Sequence, residues 1–283
     1  MSDPRLLVVT GGHPFEREAF LALFDAIAPG RWTHAEHPDA QALLTARGSV
    51  DVGVADVDVA DVDVDVIVFY DIPGLRFTRS DPPTEMSYPD AATLAGWEAL
   101  LAAGKGLVFL HHAIAGWPTW HRYAEIVGGR FHYQPGVLAG VAYPDSGYRF
   151  DVTHHVQVLD PTHPICAGLG DGFDLTDELY LFPVLADDVV PLLRTTFPMD
   201  DPSQFFSADL AIRGRRNTND GWTHPAGSDL VGWVKHAGNS PVAYLQFGDG
   251  PQTYADLNFR RVLTNAIGWA ASDDAHAWAR MRT

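Results

Sequence analysis

Two adjacent histidines, His111 and His112, close the apolar run Gly106–Leu107–Val108–Phe109–Leu110, and other polar residues stand where other apolar runs end. His13 follows Leu6 to Val9 and the pair Gly11–Gly12, and Asp71 follows Val66 to Tyr70. Ligands of open α/β sheets bind at the carboxyl ends of the strands, so His13, Asp71, His111 and His112 are expected on one rim. His236 and the pair Asp177–Glu178 join them if the later strands fold back over the same edge. Imidazoles titrate near neutrality and buried carboxylates act as acid or base, so such a set suits proton transfer beside a carbonyl or glycosidic oxygen. Neutral imidazoles and carboxylates also ligate zinc, manganese or iron, and His13, His111, His236 and Glu178 are the candidate ligands of a divalent Zn or Mn ion. There is no His-x-x-x-His spacing, and neighbouring histidines on a strand face opposite ways, so one of His111 and His112 at most ligates easily.

Each of these residues has a plainer reading. Gly11–Gly12 can hold a substrate phosphate at a helix amino end, but without a G-x-G-x-x-G pattern a tight turn suffices. His154–His155 lies in an alternating stretch, which predicts one core-facing and one solvated ring. His163, before Pro164, can cap a turn. Asp177–Glu178 precedes the apolar run Leu179 to Val184 and can simply start an element. Trp117 and Trp120 have helical spacing and belong to a core, whereas Trp222, in a polar stretch, is the better residue to stack on a sugar ring.

The elements that must carry these groups follow from periodicity. Leu6 to Val9 reads as a buried strand, and Phe15, Ala19, Leu23 and Ile27 as the inner face of the next helix. Asp39 to Ala46 suggests a short helix. From Val50 to Val66 valine and aspartate alternate, which predicts a half-buried strand or turn with a solvated acidic face. Asp90 opens a helix through Leu94, Trp97, Leu100 and Leu101, with Gly104 as its C-terminal cap. A further helix is expected through Trp117, Tyr123 and Val127. Apolar strands alternating with helices imply a parallel sheet covered on both faces. From Arg149 onward strands predominate, at Arg149 to Leu159, Val189 to Thr195, Leu230 to Lys235 and Val242 to Phe247, before a last helix, Asp256 to Ala271.

With 283 residues, the chain matches one large or two small domains at roughly 150 residues each. No proline- or serine-rich linker divides it, so one domain is expected over 1–283, with an irregular insertion at about 197–225. A net charge of −17 opposes nucleic-acid and anionic-membrane partners. A hydrophobic share of 46% is that of a globular chain. The single cysteine, Cys166, rules out an intramolecular disulfide, and the amino-terminal apolar run is too short for a signal peptide or membrane span. A cytoplasmic location is expected, and a homo-oligomer is compatible with the composition.

The turn at His111, with four other blocks, resembles the ThuA-like (trehalose utilisation) family of the class I glutamine-amidotransferase-like fold. The blocks are Val9–Thr10–Gly11–Gly12–His13–Pro14; Gly104 to Ala113; His163–Pro164–Ile165 with Gly168–Leu169; Asp177–Glu178–Leu179–Tyr180; and the stretch from Trp233 through Pro241–Val242–Ala243–Tyr244, Gly248 and Tyr254 to Trp269. The resemblance implies a flavodoxin-like sheet with helices on both faces. It also implies a role in carbohydrate metabolism, with a small-molecule sugar, such as a keto-disaccharide, as partner. Gly248–Asp249–Gly250 stands where the family commonly has Gly-His-Gly, which makes Asp249 a candidate substrate-binding residue.

In amidotransferases of that fold a cysteine at the sharp turn after a central strand is the nucleophile. Here His111–His112 occupies the turn and Cys166 lies in another segment, so a glutaminase is excluded. Centring the turn on His111 places the small Ala113 two residues on. The expected chemistry is acid–base catalysis by His111, His112, His236, Asp177 and Glu178, with Gly11, Gly12, His13, Asp71, Trp222 and Asp249 around the substrate. A non-catalytic sugar-binding module and a metal-dependent hydrolase are the alternatives.

Overall fold

Three apolar runs lie side by side as parallel strands in the computed structural model, which describes residues 3–44 and 64–282. The chain enters through β1 (Leu6–Gly11), α1 (Arg17–Ile27), β2 (Trp32–Glu36) and α2 (Asp39–Leu44), and continues at β3 (Val66–Asp71). The alternating Val/Asp stretch up to Asp63 lies outside the described residues. A hairpin of β4 (Leu75–Phe77) and β5 (Thr84–Met86) leads to α3 (Ala91–Ala103) and β6 (Gly106–Leu110). A 3-10 turn, His111–Ala115, and α4 (His121–Val127) follow, then a second hairpin of β7 (Gly136–Leu138) and β8 (Val141–Tyr143). The second half contains β9 (Gly147–Val158), β10 (Gly172–Leu181), β11 (Val190–Thr195), β12 (Phe206–Ser207), α5 (Ala208–Ile212), β13 (Leu230–Ala237) and β14 (Ser240–Leu245). It closes with α6 (Pro251–Ala255), α7 (Leu257–Ala270) and α8 (Asp273–Arg280).

One sheet runs β10-β9-β11-β13-β14-β6-β3-β1-β2, with β12 pairing β9. From β2 to β14 its neighbours are parallel, and from β14 to β10 they are antiparallel. Strands β1, β3 and β6 are apolar on both faces because helices cover both. Leu6, Val8, Val66, Val68 and Val108 enter one core, while Leu7, Val9, Ile67, Phe69 and Phe109 enter the other. Helix α3 shows how local chemistry sets its ends. Asp90 accepts a hydrogen bond from the Thr93 N–H at 2.8 Å, and Gly104, at φ 75°, terminates the last turn in the left-handed conformation.

The sequence-based elements need three adjustments. The helix expected through Trp117 is broken, because Trp117 sits at φ 42° and helix resumes only at His121. The 197–225 stretch contains β12 and α5 between irregular segments. Strand β10, not expected in full, starts at Gly172 and carries Asp177–Glu178 in its interior. Among the described residues no helix is long and apolar enough to cross a membrane.

Candidate active site

Strand β6 ends where the chain must turn sharply, and the residue at the turn, His111, has φ 48°. A side chain with a Cβ rarely adopts this conformation, and such strain concentrates at functional sites. The ring is enclosed on all sides: His111 is fully buried. Its Nδ1–H donates to the Gln246 carbonyl, 2.7 Å away on the segment leaving β14, which fixes the ring's orientation. Nε2 faces Glu178 Oε2 at 3.1 Å, Tyr180 Oη at 2.8 Å and Asp249 Oδ1 at 3.5 Å. The Tyr180 ring stacks on the imidazole at 4.5 Å between centroids.

Glu178 belongs to β10, five places along the sheet from β6, and a β-bulge brings it across. The β9–β10 register shifts between Asp177 and Leu179, with Phe150 and Asp151 of β9 opposite Glu178 alone, and Asp151 takes φ 53°. Before the bulge β10 alternates between buried and accessible; from Asp177 to Leu181 every residue is buried. Consecutive carboxylates thereby both turn inward. Asp177 accepts from the N–H groups of Gly248 at 2.7 Å and Asp249 at 3.1 Å, which ties the loop after β14 to β10. Tyr70 Oη donates to the Gly248 carbonyl at 2.6 Å and Tyr254 Oη to the Asp249 carbonyl at 3.3 Å. The Asp249 side chain keeps 27% of its surface exposed, so it is the carboxylate a ligand can reach.

Burial and charge pull these groups apart. Burial alone lowers His111, but hydrogen bonds to Asp249 and Glu178, and their charges, outweigh it and hold the imidazole well above its usual range. Burial raises the Glu178 carboxyl to about 6 against the opposing pull of His111. For Asp249 burial raises and the bond to His111 lowers, with a net value below the ordinary carboxylate. Burial, the charge of His13 and that of His111 keep His112 neutral, well below the usual histidine. Burial and the His111 charge likewise take His13 down to about 4. The site thus holds one imidazolium, one accessible carboxylate and one buried carboxyl that changes state near neutrality, as proton transfer requires.

The same residues meet the test for a metal. His111, Glu178 and Asp249 each offer one ligand atom, all within 4.8 Å of one another. A ring whose other nitrogen donates to a carbonyl is also how ligating histidines are oriented. One imidazole and two carboxylates suit Zn or Mn.

The profile of the ThuA family, described as trehalose utilisation, matches residues 27–270. The chain belongs to the ThuA family. Solved ThuA-like proteins share the fold. One from Parabacteroides merdae, 14% identical, gives a TM-score of 0.62 over 96% of this chain and 91% of its own. One from Bacteroides uniformis, 16% identical, gives 0.59 over 96% and 94%. A cytoplasmic protein of Salmonella typhimurium, 13% identical, gives 0.53 over 94% and 98%. No curated protein matches the chain.

Of the residues expected at this ThuA-family site, His111, Glu178 and Asp249 meet directly, with Asp177 behind them. His112 and His13 lie alongside, their rings 4.6 Å apart. His112 Nε2 lies 3.3 Å from the Tyr70 carbonyl and His13 Nδ1–H donates to Pro14, and neither ring belongs to the 4.8 Å group of His111, Glu178 and Asp249. Gly11 and Gly12 form the β1 loop with φ 121° and 79°; a Cβ on Gly12 would stand 2.3 Å from the Ile72 carbonyl oxygen.

Three expected residues do not reach the cluster. His236 is at the opposite end of the sheet, paired with Pro241 at the start of β14, because β13 runs antiparallel to β14. It is therefore neither beside His111 nor a metal ligand there. Trp222 donates its indole N–H to the Asp145 carbonyl at 3.1 Å and packs beside Gly147. Asp71 turns to His37, 2.7 Å away.

Residues outside the expected set include Tyr180, Gln246, Tyr70 and Tyr254. Tyr180 carried a readable signal: in a strand, two residues beyond Glu178 is the same face. The plainer readings also have outcomes. His154 is buried and His155 pairs with exposed Asp174, while His163 accepts from the Ile165 N–H.

Proposed function

We propose that this ThuA-family protein processes carbohydrate by acid–base chemistry on an oxidised (keto) disaccharide or related glycoside. The observation that carries the reading is the His111 imidazole on the strained turn, clamped between Glu178 and Asp249 where a sulfur nucleophile would otherwise stand. A ketone acidifies the neighbouring C–H bonds. Asp249, ionised and accessible, takes such a proton while the bond's electron pair moves onto the ketone oxygen as an enolate. Protonating that oxygen gives an enediol, and loss of the neighbouring hydroxyl proton with protonation of the former ketone carbon completes an isomerisation. Expelling a glycosidic oxygen from the next carbon, with the abstracted proton handed to it, completes an elimination. His111 stabilises the Asp249 carboxylate before the transfer and passes protons between it and Glu178.

The test is turnover of oxidised against unoxidised glycosides. Asp249→Asn and His111→Gln are expected to slow the oxidised substrates about 10²- to 10⁴-fold with the fold intact by circular dichroism. Unchanged rates in both variants end the proposal, and binding without turnover points instead to a sugar-binding module.

The 4.8 Å grouping of His111, Glu178 and Asp249 favours one second reading, metal-assisted hydrolysis. There the ion would activate water, and the three side chains would hold it. Stoichiometric zinc or manganese in the purified protein, with activity lost to chelator and restored by that metal, selects this reading. Full activity after chelation rejects it.

A further inference from the structure

A cavity of about 460 Å³ opens beside the β1 loop, and neither His111 nor its carboxylates line it. Its walls include Gly12, His37, Gln41, Tyr88, Asp90 and Trp117. The aromatic wall is held at a backbone cost. Trp117 has φ 42°, its N–H donates to the Pro73 carbonyl, and its own carbonyl accepts from buried Arg130 at 3.0 Å. Gly74 leaves the indole its place, since a Cβ there would stand 2.4 Å from the ring.

The polar wall is equally specific. His37 Nε2 is bonded to Asp71 Oδ2 at 2.7 Å, so Nδ1 is the nitrogen left to meet a ligand. Asp71 itself is 1% exposed and stands behind the lining residues, where it orients the His37 ring. Gln41 gives its amide N–H to Thr93 and Asp90 caps α3 through Oδ1, which leaves an acceptor oxygen on each. Acceptors and an imidazole, without a lysine or arginine among the lining residues, fit hydroxyl donors and reject phosphate or carboxylate groups. Aromatic faces fit the apolar face of a pyranose.

We infer that this cavity is a second sugar subsite, which takes a neutral, unoxidised pyranose ring. The inference rests on the carbohydrate reading above and extends it to a two-ring substrate. The two sites adjoin through the β1 loop: Gly12 lines the cavity, and the ring of the next residue, His13, lies 4.6 Å from that of His112.

The experiment is a histidine-ring NMR titration with methyl α-glucopyranoside, followed at His37 and His111. A saturable His37 shift is expected, with a midpoint on the order of 1 mM. Glucose 6-phosphate is expected to leave it unmoved. Tyr88→Ala, at a side chain that is largely exposed, should weaken the midpoint about 2- to 10-fold without lowering the melting temperature. A His37 resonance unmoved at about 100 mM glycoside, or an equal response in Tyr88→Ala, overturns the subsite. Turnover of an oxidised glycoside without any His37 response removes the subsite and leaves the acid–base reading standing. A His37 response without turnover removes the acid–base reading alone.

Discussion

His111 keeps its proton only while a carboxylate faces Nε2, because its burial acts the other way. Glu178→Gln removes one of the two opposing charges, and Glu178→Gln with Asp249→Asn removes both. The single change should lower the His111 pKa; the double change should let burial prevail and bring it below the ordinary histidine. Ring NMR of His111 against pH measures both, and an unmoved value would show that the carboxylates do not hold the proton. The same groups tie stability to pH. Glu178 is raised in the fold, from the usual 4.5 to about 6, so its contribution is complete below 4.5 and is lost as pH rises through about 6. His111 is also raised, so its contribution is lost only at higher pH, through its own folded value. Urea denaturation of Glu178→Gln should therefore show a flatter pH dependence between 4.5 and 6 than the native protein.

The bulge between β9 and β10 is the element on which Glu178 depends. Asp151 at φ 53° is tolerable because a short polar side chain accepts the left-handed region, which a β-branched one does not. Asp151→Val should destabilise the protein by about 1–2 kcal/mol, and by straightening β9 should withdraw Glu178 from His111. A lowered His111 pKa beside a modest loss in chemical denaturation is the expected pair of results, whereas lost stability with an unchanged His111 would place the effect in the strand alone. Such a bulge is not written in local periodicity, which explains what the sequence could and could not disclose. His111 was legible because an apolar strand ending at a histidine with Ala113 beyond it describes a sharp turn. Asp249 was legible only against a family pattern. Gln246 depends on which strand folds over which, and His236 was misplaced because the antiparallel direction of β13 reverses the end at which its last residues lie.

At the scale of the molecule the site forms where the two halves of the sheet meet. The parallel half supplies the His111 turn, and the loop after β14 brings Asp249 to it. The antiparallel half wraps back to deliver Glu178 and Tyr180. That parallel half is the part expected from alternating strands and helices. The whole chain is acidic, with a net charge of −17, and at the site three carboxyl groups, Asp177, Glu178 and Asp249, surround the single His111 imidazolium. A dianionic sugar phosphate entering here meets like charge at the cluster and a field of the same sign around it, whereas a neutral keto-glycoside meets neither. The neutral substrate should therefore have a kcat/KM at least about 10-fold above that of its 6-phosphate. Raising the ionic strength from about 10 mM to about 150 mM, which shortens the screening length from about 30 Å to about 8 Å, should narrow that gap. Steady-state kinetics of both substrates at the two salt concentrations decides the point, and a preference for the phosphorylated sugar at low salt would mean that the acidic cluster is not where the substrate binds.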